Sequence, residues 1–191
     1  MLILIALAIA QVSPLPDLQI EATDGGSVIV IRNTHSTQPL TAYLIELVDY
    51  PGSSFALSQD ELAQGGEPLA ARNERRLPIT NMTVGAAPDY VKMRAALYAD
   101  GSAAGPDGKV AELRARRGLL QSTIREIIAA NPGNLKVMQA ATPASNGKLN
   151  RADPQVVNRA AQRSLIAEAI ELQAAGTLAQ KFQAREMALS K

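Results

Sequence analysis

The chain has 191 residues, of which 47% are hydrophobic and 19% charged, so it is long and apolar enough to bury a core of its own. It contains no cysteine, no tryptophan and a single histidine, His35. This composition excludes disulfides, thiol catalysis and Cys/His zinc sites, and an aromatic content of only 3% leaves few surfaces on which sugars or bases can stack.

The first ten residues, MLILIALAIA, have the apolar run of a secretory signal peptide, and residues 8–10 have the small-x-small pattern of a cleavage site. We therefore expect export to the periplasm or the extracellular space, with cleavage after Ala10. A run of about ten residues is too short to span a bilayer, which needs about 20. No Lys or Arg precedes the run, so a true start upstream of Met1 and a buried first strand both stay open.

Between residues 17 and 100 the apolar residues recur mainly with the period of two that is typical of half-buried β-strands. Turn-forming clusters of Gly, Pro, Asn and Asp separate the runs, and residues 58–73 are irregular enough to hold a helical turn or a long connection. The pattern predicts an antiparallel immunoglobulin-like β-sandwich over 17–100, with strands near residues 18–22, 28–31, 40–48, 76–79 and 91–97.

The segment DGSAAGPDG, residues 100–108, follows the last of these strands and is a candidate calcium loop. An EF-hand needs oxygen ligands at alternate positions and Glu at the twelfth, but counting from Asp100 gives Ser, Ala and Ala at the third, fifth and twelfth positions. Asp100 and Asp107 could contribute at most to a weak cation site. We interpret the segment as a turn, with Asp107 at the start of a helix, where a carboxylate favours the helix dipole.

After Asp107 the hydrophobic period becomes helical. A single apolar stripe, interrupted at Arg117, predicts a basic amphipathic helix over 107–130; the stripe consists of Val110, Leu113, Leu120, Ile124 and Ile127. Pro132 disfavours helical geometry at the residue before it and ends the helix.

Residues 131–153 are expected to form a linker that includes a short element near residues 135–140. Asp153 and Pro154 then have the residue types of an N-cap and a first helical position. They predict an Ala-rich C-terminal helix over 154–189, with Gly176 as a candidate break. The predicted fold class is therefore α+β, a sandwich followed by C-terminal helices.

Charge divides at the same boundary. Residues 1–100 carry 6 basic and 11 acidic side chains, a net charge of −5, whereas residues 101–191 carry 13 and 7, a net charge of +6. The formal total of +1 therefore hides a dipolar chain. We expect the stem of Arg117 to pack in the apolar stripe while its guanidinium reaches the acidic sandwich, or else an acidic partner.

Catalysis by an activated nucleophile would need His35 as the base, because the chain has no second imidazole. His35 lies beside Ser36 in the polar turn NTHSTQP, and no Gly-x-Ser-x-Gly motif is present. A hydrolase that uses His35 or a carboxylate pair stays open as an alternative. The leading expectation is that the chain has no catalytic, metal-binding or cofactor-binding residue.

Three other motifs have structural interpretations. The pairs Gly25-Gly26 and Gly65-Gly66 lack the Lys-Ser/Thr of phosphate loops and are interpreted as turns, and Asn81-Met82-Thr83 matches the glycosylation sequon. The arginines at 114, 116 and 117 make the first helix basic without any nucleic-acid reading motif. We expect protein partners, no nucleic acid, and no stable membrane span in the mature chain.

The stretch VIVIRNTHSTQPLTAYLIEL resembles the strand–turn–strand of bacterial immunoglobulin-like and fibronectin-type-III-like domains. Together with VKMRAALYADGSAAG, it makes residues 18–127 similar to secreted bacterial proteins in which such a sandwich passes into an Arg-rich helix. This resemblance implies adhesion, assembly or scaffolding. The expected function is an exported, non-catalytic binding or structural module of the bacterial envelope, and the further alternative is an assembly factor that binds a partner through its C-terminal helix.

Overall fold

The computed structural model describes residues 13–23, 26–48, 55–80, 90–130, 133–142 and 153–190. Seven strands and five helices are defined there, in the order β1 Asp17–Thr23, β2 Gly26–Arg32, β3 Leu40–Val48, β4 Phe55–Asp60, α1 Glu61–Gln64, β5 Glu74–Thr80, β6 Tyr90–Tyr98, β7 Ala103–Ala104, α2 Asp107–Ala129, α3 Asn134–Ala141, α4 Pro154–Ala174 and α5 Leu178–Leu189. The predicted signal peptide and the sequon lie outside the described residues.

The strands form two antiparallel sheets. The first sheet has the order β1-β2-β5 and the second has the order β4-β3-β6-β7. The inward-facing side chains of both sheets meet in one apolar core, whose most buried members are Ile29, Ile31, Leu40, Tyr43, Ile45 and Tyr98. The α+β class, with antiparallel sheets and C-terminal helices, is thus confirmed.

The second sheet is covered on both faces. Tyr43 and Ile45 of β3 face the core between the sheets, whereas Ala42 and Leu44 face α2 and pack with Leu113. Because β3 is buried on both faces, residues 40–48 form a nearly continuous apolar run in the sequence, without the regular alternation of apolar and polar residues. The molecule therefore has three layers: the first sheet, the second sheet and the helices.

The helical layer has its own apolar cluster. Leu120, Ile124 and Ile127 of α2 are fully buried, as the predicted stripe requires, and they lie in one cluster with residues of every other helix. Those residues include Ala63, Leu135, Leu165, Ile166 and Phe182. The residues of α4 and α5 in this cluster are therefore buried within the chain itself, whereas Met187 of α5 is 61% exposed.

Three segments for which the sequence left alternatives open are decided by the structure. The C-terminal helix expected over 154–189 is two helices, because Gly176 adopts a left-handed φ of +72° between α4 and α5. The short element expected near residues 135–140 of the linker is α3, Asn134–Ala141. The irregular segment 58–73 contains the end of β4 and the single turn α1, and β4 itself was not predicted.

The turn between the sandwich and α2 depends on Gly105. Its φ of +116° lies in the region that favours glycine, and a Cβ there would overlap the carbonyl oxygen of Arg94. Asp100 accepts a hydrogen bond from the Ser102 N–H at 3.0 Å, and bonds from Ser102 lower the pKa of this carboxyl. The segment 100–108 is therefore a close-packed turn that sets where α2 begins.

Candidate functional site

His35, the only histidine of the sequence, is engaged in its own turn. Its Nδ1 atom accepts hydrogen bonds from the backbone N–H groups of Thr37 at 3.3 Å and Gln38 at 3.1 Å. The ring packs on Tyr98 with a centroid distance of 4.8 Å, and Ser36 lies exposed in the same turn. Because its Nδ1 lone pair is used by two backbone donors, this nitrogen is unavailable for proton transfer while the turn is intact.

The turn also holds the first described residues of the chain. The Tyr98 hydroxyl donates to the carbonyl of Pro14, and Thr34 Oγ1 donates to the carbonyl of Leu15 at 2.9 Å. Ser13 Oγ donates to Ser102 Oγ, also at 2.9 Å. Burial raises the pKa of Tyr98 to about 12. These polar groups tie residues 13–15 to the end of the sandwich.

A buried cluster of charged residues, which we call the ionic junction, lies where β4 turns into α1 against α2. We define it by Asp60, Glu61, Arg75 and Arg117. Asp60, only 1% exposed, is the N-cap of α1, and its Oδ1 accepts the Ala63 N–H at 3.2 Å. Gln64 Oε1 accepts the Asp60 N–H at 3.1 Å, which completes a reciprocal cap.

Arg117 of α2 is the cation of Asp60. Its Nε donates to Asp60 Oδ2 at 2.6 Å and its Nη2 donates to Oδ1 at 3.3 Å, which forms a two-pronged pair. Arg117 Nη2 also donates to Thr41 Oγ1 at 2.8 Å. The register of β3 against β6 shifts between Leu40 and Ala42, so Thr41 lies in a bulge. This contact agrees with the expectation that Arg117 reaches the sandwich.

Glu61 and Arg75 form the second pair of the ionic junction. Arg75 Nη1 donates to Glu61 Oε1, and its Nη2 donates to the Glu67 carbonyl at 2.5 Å. Burial raises the pKa of Glu61, although the Arg75 guanidinium opposes that shift. Burial, together with the charge of Glu61, also raises the pKa of the neighbouring Tyr43 to about 12. Folding therefore disfavours the ionised form of both groups.

Arg116, the residue before Arg117 on α2, has no carboxylate partner of its own among the described residues. It is 9% exposed, and its Nη1 donates to Asn158 Oδ1 of α4 at 3.1 Å. Its Nε is buried without a hydrogen-bond partner, and no carboxylate of the described residues lies within ion-pair distance of it. Burial lowers its pKa, a shift that the charges of Asp60 and Glu112 oppose. Arg116 is thus the one incompletely satisfied buried cation in the described part of the chain.

Gly65 and Gly66 bring α5 against the ionic junction. Gly65 has a φ of +70°, and a Cβ there would overlap the guanidinium of Arg185, while a Cβ on Gly66 would overlap the Glu61 carboxylate. Arg185 forms two hydrogen bonds to Glu168, at 2.5 and 2.8 Å, and lies over the Phe182 ring. The interpretation of this Gly pair as a turn holds, and the structure adds its contact with α5.

An open cavity of about 500 Å³ borders this contact. It is lined by Leu62, Gln64, Gly65, Glu168, Lys181 and Arg185, among others. The Arg185 fork is occupied by Glu168, so the lining offers Lys181 as its exposed cation. Gln64, Glu168 and Arg185 are thus already bonded within the chain, which leaves Lys181 as the exposed charged group of this cavity.

A third ionic contact joins α2 to the outer face of the second sheet. Glu46 of β3 accepts from Arg94 Nε at 2.6 Å and pairs with Lys109 Nζ at 2.7 Å. Burial alone would raise the pKa of Glu46, but the hydrogen bonds from Lys109 and Arg94 outweigh it, so that pKa is lowered. Glu46 thus links a strand to the first turn of α2.

Sequence reasoning found one residue of the ionic junction and missed the others. Arg117 interrupts an apolar stripe, which marks it as a buried cation. Asp60 and Glu61 are adjacent acidic residues before a Gly-Gly pair, but that pattern is equally typical of an exposed turn, and it gives no sign that both side chains are buried. Asp100 and Asp107 do not converge on a site.

Among the residues that the structure describes, no group of three or more His, Asp or Glu side chains is arranged to hold a metal ion. No helix in the described part of the chain is both long and apolar enough to cross a membrane. Comparisons with protein-family models, curated proteins and solved structures found no match for this chain.

Proposed function

We propose that the chain is an exported, non-catalytic binding or structural module of the bacterial envelope. The observation that supports this most is the use of its buried charges. Asp60 and Arg117 join α1, β3 and α2, and Glu61 with Arg75 ties α1 to β5. Side chains that could carry acid–base chemistry are thus committed to holding the helical layer on the sandwich, which suits a rigid module.

The sandwich is proposed to be of the immunoglobulin-like or fibronectin-type-III-like kind. In a constant-type immunoglobulin sandwich, strands A, B, E and D share one sheet and strands C, F and G share the other. The order β1-β2-β5 corresponds to A-B-E, and β3-β6-β7 corresponds to C-F-G. β4 pairs with β3 at the edge of the C-F-G sheet, which is the position of strand C′ and not of strand D.

Of the two alternative functions, the hydrolase has less support, because His35 Nδ1 is bonded within its own turn and the carboxylates of the ionic junction are paired. An assembly factor that binds through its C-terminal helix is also less supported. The apolar residues of α4 and α5, including Leu165, Ile166 and Phe182, are buried against the chain's own helices.

Two measurements test the proposal. The purified protein should show no turnover of a broad panel of ester, glycoside and peptide substrates. An activity that disappears in His35→Ala or in Glu61→Gln, with folding retained by circular dichroism, would contradict the non-catalytic assignment. Mass spectrometry of protein recovered from a bacterial host should show a mature N-terminus near Gln11, and retention of Met1 would argue against export.

A further inference from the structure

The cations of the helical layer differ in whether a carboxylate matches them. Lys109 pairs with Glu46 and Glu112, Arg117 with Asp60, Arg125 with Glu186 and Arg185 with Glu168, whereas Arg114, Arg116 and Lys181 have no carboxylate partner among the described residues. The cations on α3 and the first half of α4 have no such match among the described residues. Part of the excess positive charge of residues 101–191 therefore takes no part in ion pairs between the layers.

We define the α3–α4 basic face by Lys136, Arg159 and Arg163. Lys136 and Arg159 are exposed, and no hydrogen bond or ion pair engages either one in the described part of the chain. Arg163 Nη1 donates to the carbonyl of Thr142 at 2.8 Å, which ties α4 to the end of α3. The two helices pack against each other.

Acidic residues are nearly absent from this surface. Neither α3 nor the part of α4 from 154 to 167 contains Asp or Glu. Asp153, which precedes α4, caps that helix by accepting the Gln155 N–H at 2.8 Å. Among the described residues of 134–167, three side chains are basic (Lys136, Arg159 and Arg163) and one, Asp153, is acidic. The described parts of α3 and of α4 up to residue 167 thus carry a net positive charge.

An exposed apolar side chain lies within the same surface. Val137 on α3 is 66% exposed, whereas Leu135 on the opposite side of the helix is fully buried. Lys136 and Val137 are adjacent on α3 and both exposed, with side chains about 100° apart around the helix axis. This pairing suits a bilayer interface, where cations contact anionic headgroups and a neighbouring apolar group reaches the acyl boundary.

A second copy of the chain is a poorer occupant, although the sandwich is acidic overall. Two of its exposed carboxylates are already paired, Glu21 with Arg76 and Glu74 with Arg32, whereas the exposed Asp17, Glu67 and Asp100 are in no ion pair among the described residues. The sandwich of a second copy therefore offers the α3–α4 basic face only these three unpaired carboxylates in the described part of the chain. An anionic lipid surface offers many.

We infer that the α3–α4 basic face binds an anionic lipid surface, through Lys136, Arg159 and Arg163 with Val137 at the headgroup boundary. The contact is peripheral and electrostatic, since each Lys or Arg near an anionic surface strengthens binding by about fivefold. It weakens as salt screens the charges. The inference is compatible with an envelope location but does not depend on it, because vesicle binding is a property of the purified chain.

The test is co-sedimentation of the full chain with vesicles of phosphatidylglycerol and phosphatidylcholine, with pure phosphatidylcholine vesicles reporting any binding that needs no anionic lipid. We expect binding that requires phosphatidylglycerol and falls with added salt. The triple variant Lys136→Gln, Arg159→Gln, Arg163→Gln should lower the partition coefficient at least about tenfold.

The matched control removes three exposed cations elsewhere, as Arg72→Gln, Arg114→Gln, Lys181→Gln, and should bind nearly as well as the unchanged chain. The double variant Lys136→Gln, Arg159→Gln keeps the Arg163–Thr142 hydrogen bond, so weaker binding by this variant cannot be attributed to the loss of that bond. Circular dichroism of each variant checks that it is folded. Equal loss in the triple variant and the control, or no preference for anionic vesicles, would overturn the inference. A chain that fails this test can still be an exported module.

Discussion

At the scale of single residues, the stability of the fold depends on whether each buried charge has a partner of opposite charge. Arg116 and Arg117 are neighbours on one helix, both mostly shielded from water, yet only Arg117 has a carboxylate partner. Burying two opposite charges costs desolvation free energy, which their attraction offsets when they pair closely. Removing one partner leaves the other charge buried and alone, which destabilises the fold more than if the pair were absent altogether. The two arginines therefore allow a direct comparison.

Arg117→Met should lower the free energy of unfolding by about 3 kcal/mol, because it leaves the Asp60 carboxylate buried without its cation. Arg116→Met should change stability by less than about 1 kcal/mol, or increase it, because it removes a buried charge with an orphaned Nε at the loss of one hydrogen bond to Asn158. Urea denaturation of both variants measures the difference. Equal destabilisation would show that the Asp60 pair has no special role.

Gly105→Ala should destabilise the protein by about 3 kcal/mol or more, since it combines left-handed backbone with a clash against the Arg94 carbonyl. Gly101→Ala is the matched control: its φ is +82°, but a Cβ there meets open space, so it should cost only about 1–2 kcal/mol. Thermal melts of the two variants separate the clash from the backbone strain. A Gly105→Ala protein as stable as the Gly101→Ala protein would contradict the close approach.

At the scale of elements, α2 organises the molecule. Its N-terminal half packs Leu113 on the second sheet, and its C-terminal half supplies Leu120, Ile124 and Ile127 to the helical cluster. The same helix therefore belongs to two cores. The periodicity of α2 is visible in the sequence because one continuous apolar stripe supplies both cores. β4 was not predicted, because its residues, FALSQD, show no clear period.

The contact between α2 and Glu46 should make stability depend on pH. Because the folded-state pKa of Glu46 is lowered from 4.5, its stabilisation is present above that value and is lost as the pH falls through the folded-state pKa. Glu46→Gln should lower the free energy of unfolding by about 0.5–1 kcal/mol at neutral pH, as expected for a partly exposed ion pair. In acid the difference should vanish, because Glu46 is then protonated and both proteins are uncharged at this position.

Chemical denaturation at neutral pH and at several acidic values measures this convergence. Glu112→Gln is the control, because Glu112 contacts the same Lys109 at 3.1 Å but lies on α2 itself and does not reach the sheet. A stability difference between wild type and Glu46→Gln that persists undiminished in acid would count against the ionic contact.

At the scale of the whole molecule, the central sheet couples the other two layers. It shares one core with the first sheet and another with α2, and the ionic junction crosses from β4 to the helices. Neither the sandwich nor the helical layer can separate without exposing apolar surface of the second sheet. The layers should therefore unfold together.

We expect a single cooperative unfolding transition, in which helix loss by far-UV circular dichroism and tyrosine exposure by absorbance follow the same curve. Tyr43 and Tyr98 report the sandwich because both are buried in the core between the sheets. Arg117→Met should move both signals to lower urea together. Loss of the helical signal before the tyrosine signal would mean that the layers are independent.

The sequence by itself determined the alternation of the strands, the helical stripe of α2 and the division of charge, because each is a local periodicity or a sum over residues. It also singled out Arg117, since a cation in an apolar stripe needs a buried partner. Tertiary structure alone decided that this partner is Asp60, that Arg75 pairs with Glu61, and that Gly105 lies against Arg94. These contacts join residues far apart in the chain, and their energies depend on burial that no local pattern records.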